Sequence, residues 1–155
     1  MFKTIKQIKP KNKPTIYTVR AILYPENKPD YIWFGQYLEG DHKKNHNGFP
    51  GGRVESDEVL IEALQREIKE ETGIEKQFLT ISLIRPEEQN TYQGKALCYV
   101  VALAQDIYPI DTEEMGSWKC LPIQEILDHD MLIDFCGDYL KNWLKRDDCP
   151  LFLKE

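Results

Sequence analysis

The chain has 155 residues, 41% hydrophobic and 30% charged, the balance of a soluble globular protein with a substantial core and, most simply, one domain. No apolar run approaches the roughly 20 residues of a membrane-crossing helix, so no membrane partner is expected. A formal charge of −6 argues against a nucleic-acid partner, and the 4 widely spaced cysteines, with no CxxC pair, argue against a zinc site or disulfide framework and suit a reducing cytoplasm.

Residues 1–14 carry five lysines with Pro10 and Pro14 but no apolar h-region, and read as an irregular arm or edge strand, not a secretory signal. Ile16 to Tyr24 is β-branched and aromatic, a core strand. Pro25 to Asp30 supplies turn residues, which predicts a hairpin into a strand over Tyr31–Tyr37 with Trp33 and Phe34 on opposite faces. Leu38 to Asn47 is polar. His42 and His46 stand four apart there, but Gly40, Asp41, Asn45 and Asn47 predict a loop rather than a helical metal pair. If this loop faces a phosphate-binding cleft, His42, Lys43 or Lys44 could contact substrate, with Lys43 the candidate carried forward. In Phe49-Pro50-Gly51-Gly52, Pro50 removes a donor and the glycines allow close approach. A free carbonyl there could complete a cation's oxygen shell.

Glu58 opens and Gly73 closes a helical pattern in which Leu60, Leu64 and Ile68 recur every four residues, with Ser56 or Asp57 as N-cap. Glu67, Glu70 and Glu71 fall at i, i+3 and i+4, on one helical face. Like charges so placed destabilise a bare helix by roughly 0.2–0.5 kcal/mol per pair. A hard divalent cation, magnesium or manganese, is the simplest offset; the competing reading is a solvated face with Arg66–Glu70 support. Beyond the helix, Phe78 to Ile84 predicts a strand, and Arg85 to Gly94 a polar loop holding Glu87, Glu88 and Tyr92. Lys95 to Ala104 reads as a central strand buried on both faces. Gln105 to Gly116 is an acidic loop with Glu113 and Glu114, and Trp118 to Leu121 a short strand. Pro122 starts one helix and Met131 to Leu144 forms a second amphipathic stretch, its aromatic stripe a core contact rather than a cofactor box. Pro150 ends any helix. The elements suggest an α/β fold with helices on a mixed sheet.

Gly52, five residues, Glu58, seven residues, then Arg66-Glu67-Ile68-Lys69-Glu70-Glu71-Thr72-Gly73-Ile74 resembles the signature of the Nudix hydrolases at seven fixed and two aliphatic positions. The resemblance implies an α/β/α sandwich around a central mixed sheet, occupying nearly all of residues 1–155. It implies hydrolysis of a nucleoside diphosphate linked to a moiety X: water attacks a phosphorus of the pyrophosphate and releases a nucleoside monophosphate and phosphorylated X. It further implies Mg2+, with Mn2+ as substitute, held by Glu67, Glu70, Glu71 and the Gly52 carbonyl. Glu67 or another of these carboxylates would also help activate the water, and Glu58 and Arg66 would shape the metal site. Many family members recruit an acid from a later loop. Glu113 and Glu114 resemble the position used by MutT-like triphosphatases, with Glu114 the candidate ligand; Glu87 and Glu88 are the rival pair.

For the substrate, Phe49-Pro50-Gly51-Gly52 and the compact length look MutT-like, which favours a nucleoside triphosphate. Tyr92, 18 residues after Ile74, resembles a marker of diadenosine tetraphosphate hydrolases and is the second candidate substrate contact. The proline expected about 16 residues past the box in ADP-ribose hydrolases is missing, Pro86 falling at 12. Nucleotide sugars stay open. Homodimers are common in the family. Two readings of another class are a nucleotide-sensing module without hydrolysis and an interaction protein docking through its acidic helix; retention of every box carboxylate favours the hydrolase over the sensor.

Overall fold

The computed structural model describes residues 15–81, 87–91 and 94–146. The expected arm at 1–14, Tyr92, Pro86, Cys149 and Pro150 lie outside them. Strand β1 (Ile16–Pro25) is followed by β2 (Tyr31–Tyr37), β3 (Asn47–Gly48) and β4 (Gly51–Arg53). Helix α1 (Leu60–Thr72) leads through a 3-10 turn (Lys76–Phe78) to β5 (Leu79–Ile81), β6 (Glu87–Asn90), β7 (Gly94–Leu103) and β8 (Met115–Pro122). Helices α2 (Ile123–Asp128) and α3 (Asp134–Leu144) complete the order.

One mixed sheet runs β3-β2-β1-β7-β5, with β4 also on β1, β6 on β7 and β8 on β2. β1 and β7 pair in parallel along their whole length, from Ile16 opposite Gly94 to Pro25 opposite Leu103, and every other pairing is antiparallel. On its other side β1 changes partner midway. Thr18–Arg20 pair with Arg53–Gly51, whereas Leu23 pairs with Trp33. That switch lays the glycine segment against the sheet while leaving it free to turn towards α1.

The two long strands bury both faces, so alternate residues feed separate cores. Val19, Ala21 and Leu23 of β1 and Leu97, Tyr99, Val101 and Leu103 of β7 meet Ala63, Leu64 and Ile68 of α1. Ile22, Cys98 and Val100 face the other way, with Ile32 and Phe34, onto Ile126 of α2 and Cys136, Tyr139, Leu140 and Trp143 of α3. The result is the α/β/α layering with a mixed sheet that the sequence predicts. Trp33 and Phe34 lie on opposite faces as expected, Phe34 buried in the core under α2 and α3 and Trp33 half-buried against the other.

Boundaries differ in places for local reasons. α1 begins at Leu60, two residues after Glu58, with Val59 at the cap position; neither Ser56 nor Asp57 caps it. Glu58 closes a turn instead, its N–H on the Glu55 carbonyl at 3.0 Å and its carboxylate receiving the Glu55 N–H at 2.8 Å. The C-terminus stops as predicted, at Gly73 in the left-handed region with φ 79°. The expected strand over Phe78–Ile84 starts at Leu79 because Phe78 closes the 3-10 turn, and its residues 82–84 fall outside the described segments. Part of the expected polar loop at Arg85–Gly94 is strand β6, held by β7 rather than by its own polar sequence. β8 begins at Met115, three residues before the predicted start, because β2 extends the ladder to Tyr37 opposite Met115. α3 begins only at Asp134, the preceding chain being tied by the Ile133 N–H to the Asn47 carbonyl at 2.8 Å.

Candidate functional site

Arg66 organises the exposed side of α1. Its Nε and Nη2 grip both oxygens of Glu58, the Nη2 bond being 2.9 Å. Nη1 donates to Glu67 at 3.0 Å and to Glu70 at 3.3 Å, and Nη2 also meets the Arg53 carbonyl of β4 at 3.0 Å. One planar guanidinium therefore hydrogen-bonds three carboxylates, lies 3.9 Å from a fourth, Glu55, and ties the helix to the strand beside it. The Arg66 hydrogen bond, followed by the Glu55 N–H, holds the Glu58 carboxyl down at about 2.

Glu67, Glu70 and Glu114 bring carboxylate oxygens within 4.8 Å of one another. Glu114 arrives from the segment before β8, fixed where the Thr112 hydroxyl receives the Glu114 N–H at 3.2 Å and reaches the Glu71 carbonyl at 3.2 Å. The Leu38 N–H holds the Glu114 carbonyl from β2's end at 2.9 Å. Burial raises the Glu67 carboxyl above its ordinary range; the Arg66 contacts oppose this, and the nearby Glu70 and Glu114 charges add to it. Such a set of converging hard oxygen donors fits magnesium or manganese, and it offers no sulfur or imidazole that would favour zinc.

Glu71 is almost fully buried, and its Oε1 accepts the Gly51 N–H at 2.7 Å. It lines a cleft of about 170 Å³ with Tyr37, Glu39, Gly40, Lys43 and Glu114. Burial pushes its carboxyl up to about 8; the Gly51 N–H opposes this, the Glu67 charge adds to it, and Arg20 and Lys43 also oppose it. Gly52 lies directly against Glu67, since a Cβ there would stand 2.5 Å from the Glu67 carboxyl carbon. Lys43 is on the rim of the same cleft, its ammonium 4.7 Å from the centre of the Tyr37 ring.

The remaining predicted residues are dispersed. His42 and His46 are exposed loop residues and, among the described residues, join no ligand group. Glu113 is exposed outside the carboxylate cluster. Glu88 pairs with Lys95 at 2.7 Å across β6 and β7.

Sequence reasoning passed over a buried polar network behind the site. Arg20 of β1 donates to the Phe49 carbonyl at 2.8 Å and to the Tyr37 hydroxyl at 3.0 Å. Tyr37 donates to the same carbonyl, while the Phe49 N–H points at the Cys136 sulfur at 3.4 Å. With the Ala21 N–H on the Pro50 carbonyl at 2.9 Å, the chain from Phe49 to Gly51 is fixed atom by atom. The only signal in the sequence was a lone arginine in an apolar strand.

The Glu71 carboxyl carries a pH dependence with a definite sign. In the folded chain it holds a proton more tightly than in the unfolded chain, where its ordinary value is 4.5. This stabilisation is complete below about pH 4.5 and is lost as the pH rises through about 8. Thermal melts in EDTA should therefore show Tm falling across that window, and Glu71→Gln, which cannot titrate, should flatten the slope. A slope equally steep in Glu71→Gln would show that another group carries it.

The sandwich and its site thus define a scaffold that gathers helix carboxylates and a loop acid beside a small cleft. The family model for the NUDIX domain matches residues 14–137, and the chain belongs to that family. Among solved structures, the chain resembles an Ap4A hydrolase binary complex from C. elegans, with TM-score 0.68 and 21% identity over 88% of this chain and 98% of that one. A MutT protein from Methanosarcina mazei Go1 gives TM-score 0.65 and 22% identity over 84% and 94%. At the sequence level, 52 residues are 40% identical to the "Putative 8-oxo-dGTP diphosphatase YtkD" of Bacillus subtilis, a match covering 30% of this chain and 33% of that protein.

Proposed function

We propose that this protein is a metal-dependent pyrophosphohydrolase acting on a nucleoside diphosphate linked to X, with a nucleoside triphosphate as the first choice of substrate and nucleoside monophosphate and pyrophosphate as products. The observation that carries the reading is the convergence of Glu67, Glu70 and Glu114 beside the cleft that Glu71 and Lys43 line. The names of the Bacillus relative and the Methanosarcina structure support a triphosphate. A dinucleoside polyphosphate is the second choice, supported by the fold likeness to the C. elegans protein and by the position of Tyr92 in the sequence.

Magnesium or manganese, held by Glu67, Glu70 and Glu114 with Glu71 and the Gly52 carbonyl as further donors, would neutralise phosphoryl oxygens and lower the pKa of attacking water. The rest is work for the chain's own side chains. Arg66, committed to Glu58, Glu67 and Glu70, keeps those carboxylates aimed and is not free to grip a substrate. Glu67, whose carboxyl burial makes a better proton acceptor than an ordinary carboxylate, is the candidate to take the proton of the attacking water. Lys43, at the cleft rim, supplies a cation for a phosphate group. Because the whole chain carries −6, a polyphosphate must meet this local positive charge or bring its own cations.

The test is a hydrolysis screen in magnesium or manganese over nucleoside triphosphates, ADP-ribose, nucleotide sugars and dinucleoside polyphosphates, with products identified. Release of pyrophosphate from a triphosphate is the expected result. Preferential cleavage of a dinucleoside polyphosphate would move X to the second choice. Saturable nucleotide binding without turnover on any class would replace the hydrolase with the sensor, and neither binding nor turnover would favour the interaction protein. The proposal also places the enzyme in the cytoplasm, as a single domain, either alone or as a homodimer.

A further inference from the structure

A second cleft, of about 290 Å³, opens at the far end of β2 and β8 from Glu114 and shares no lining residue with the carboxylate site. Its floor is Tyr31 and Trp33 of β2 with Cys120 of β8, which pairs directly with Trp33. One wall is the β1–β2 turn, including Asn27 and Lys28; the other is the segment 104–108. Both walls are built rather than loose. The Glu26 N–H donates to the Leu103 carbonyl at 2.9 Å, and the Glu26 carboxylate receives the Gln105 N–H at 3.2 Å, so the two walls clasp each other. Within them, the Tyr31 N–H closes on the Lys28 carbonyl at 3.0 Å and the Ile107 N–H on the Ala104 carbonyl at 3.1 Å.

The lining has a chemical character of its own. Trp33 and Tyr108 meet edge to face, ring centres 6.2 Å apart, yet Tyr108 remains 60% exposed. The Lys28 ammonium lies 5.0 Å from the centre of the Tyr31 ring. Gln105 and Asp106 add hydrogen-bonding groups at the opposite wall. Aromatic faces take a flat ring by stacking, a rim ammonium takes an anion, and amide and carboxylate oxygens take exocyclic amino or sugar hydroxyl hydrogens. The volume lies at the lower end of small-ligand pockets, enough for one nucleotide and too little for two.

We propose that this cleft is a second ligand site for a planar heteroaromatic ring bearing a negative charge, of the nucleoside monophosphate class. It stands apart from the hydrolytic reading, since none of its residues belongs to the carboxylate site. It does adjoin that site along the chain. Beyond Tyr108 the same segment is pinned to α1 by the Ile110 N–H on the Thr72 carbonyl at 2.9 Å, and it ends at Glu114.

The experiment is calorimetric titration of the full chain in EDTA with AMP and with GMP, using adenosine and inorganic phosphate as separate probes. One saturable site for AMP or GMP is expected without any divalent cation, with adenosine weaker and phosphate alone silent. Tyr108→Ala and Lys28→Ala, both at exposed positions, should each weaken binding about three- to tenfold. Both should leave hydrolytic turnover unchanged, whereas Glu70→Gln and Lys43→Ala should leave this binding unchanged. Absence of saturable binding overturns the proposal. So does binding that ignores Tyr108→Ala but is lost in Lys43→Ala, which would put the nucleotide in the carboxylate cleft, and so does phosphate binding as well as AMP.

Discussion

Glu70→Gln is expected to lower kcat on the best substrate by about 10²- to 10³-fold, the scale of losing one preorganised electrostatic group at a reacting centre. The substitution keeps the shape of the side chain and removes one charge from the three that converge with Glu67 and Glu114. Its side chain is 43% exposed, so Tm should move little. Paired melts and steady-state kinetics in magnesium check both halves of the expectation. A variant that melts like the wild type and turns over within a few-fold of it would remove Glu70 from the chemistry. A variant that loses activity only because it unfolds would leave the kinetic comparison to Glu70→Asp, which keeps the charge and retracts it by one methylene.

Gly51→Ala should be strongly destabilising for so small a substitution. A Cβ at this position would stand 2.7 Å from the Arg20 Cα and closer still to the Val19 carbonyl oxygen. Both obstacles are backbone of the central strand, so β4 must peel from β1 to admit the methyl group. Overpacking of this kind costs about 3 kcal/mol, which lowers Tm by about 10 °C in a chain of this size. The displacement would also pull the Gly51 N–H away from the buried Glu71 carboxylate it serves at 2.7 Å. Gly137→Ala is the matched control, because a Cβ there meets nothing within 4 Å. Urea unfolding of the two variants beside the wild type decides it. Gly137, inside α3, should gain about 1 kcal/mol on the same change; a Gly51→Ala variant as stable as the wild type would mean that the glycine segment yields more easily than its contacts indicate.

The elements that could be read from the sequence are those whose signal is local. β1, β2 and β7 declare themselves by β-branched and aromatic runs, and α1 by the four-residue recurrence of Leu60, Leu64 and Ile68. β6 could not be read, because Glu-Glu-Gln-Asn has no strand preference and is held by the ladder of β7. The cap of α1 was misplaced because Glu58, on which the helix was expected to open, is drawn aside by Arg66 and Glu55. At the site, the box carboxylates are fixed by helical spacing, so their clustering follows from the sequence. Glu114 had only a resemblance to single it out from Glu113 and Glu88, since its place depends on Thr112 bridging to the end of α1. The Arg20 network was out of reach for the same reason: its partners, Tyr37, Phe49 and Cys136, come from three distant parts of the chain.

The parallel pairing of β1 with β7 has a consequence for how the molecule assembles. Each pair in that ladder joins residues about 78 positions apart, from Ile16 with Gly94 to Pro25 with Leu103. Closing so long a loop costs entropy before any contact repays it, and topologies rich in such contacts fold slowly. α1 has local contacts and can form early, carrying its crowded carboxylates before the rest of the site exists. The strand that anchors Gly51, and the segment that delivers Glu114, reach it only as the long-range ladder closes. If the carboxylate site is the seat of hydrolysis, turnover should be among the last properties to return on refolding, and refolding followed by turnover should lag refolding followed by helix content.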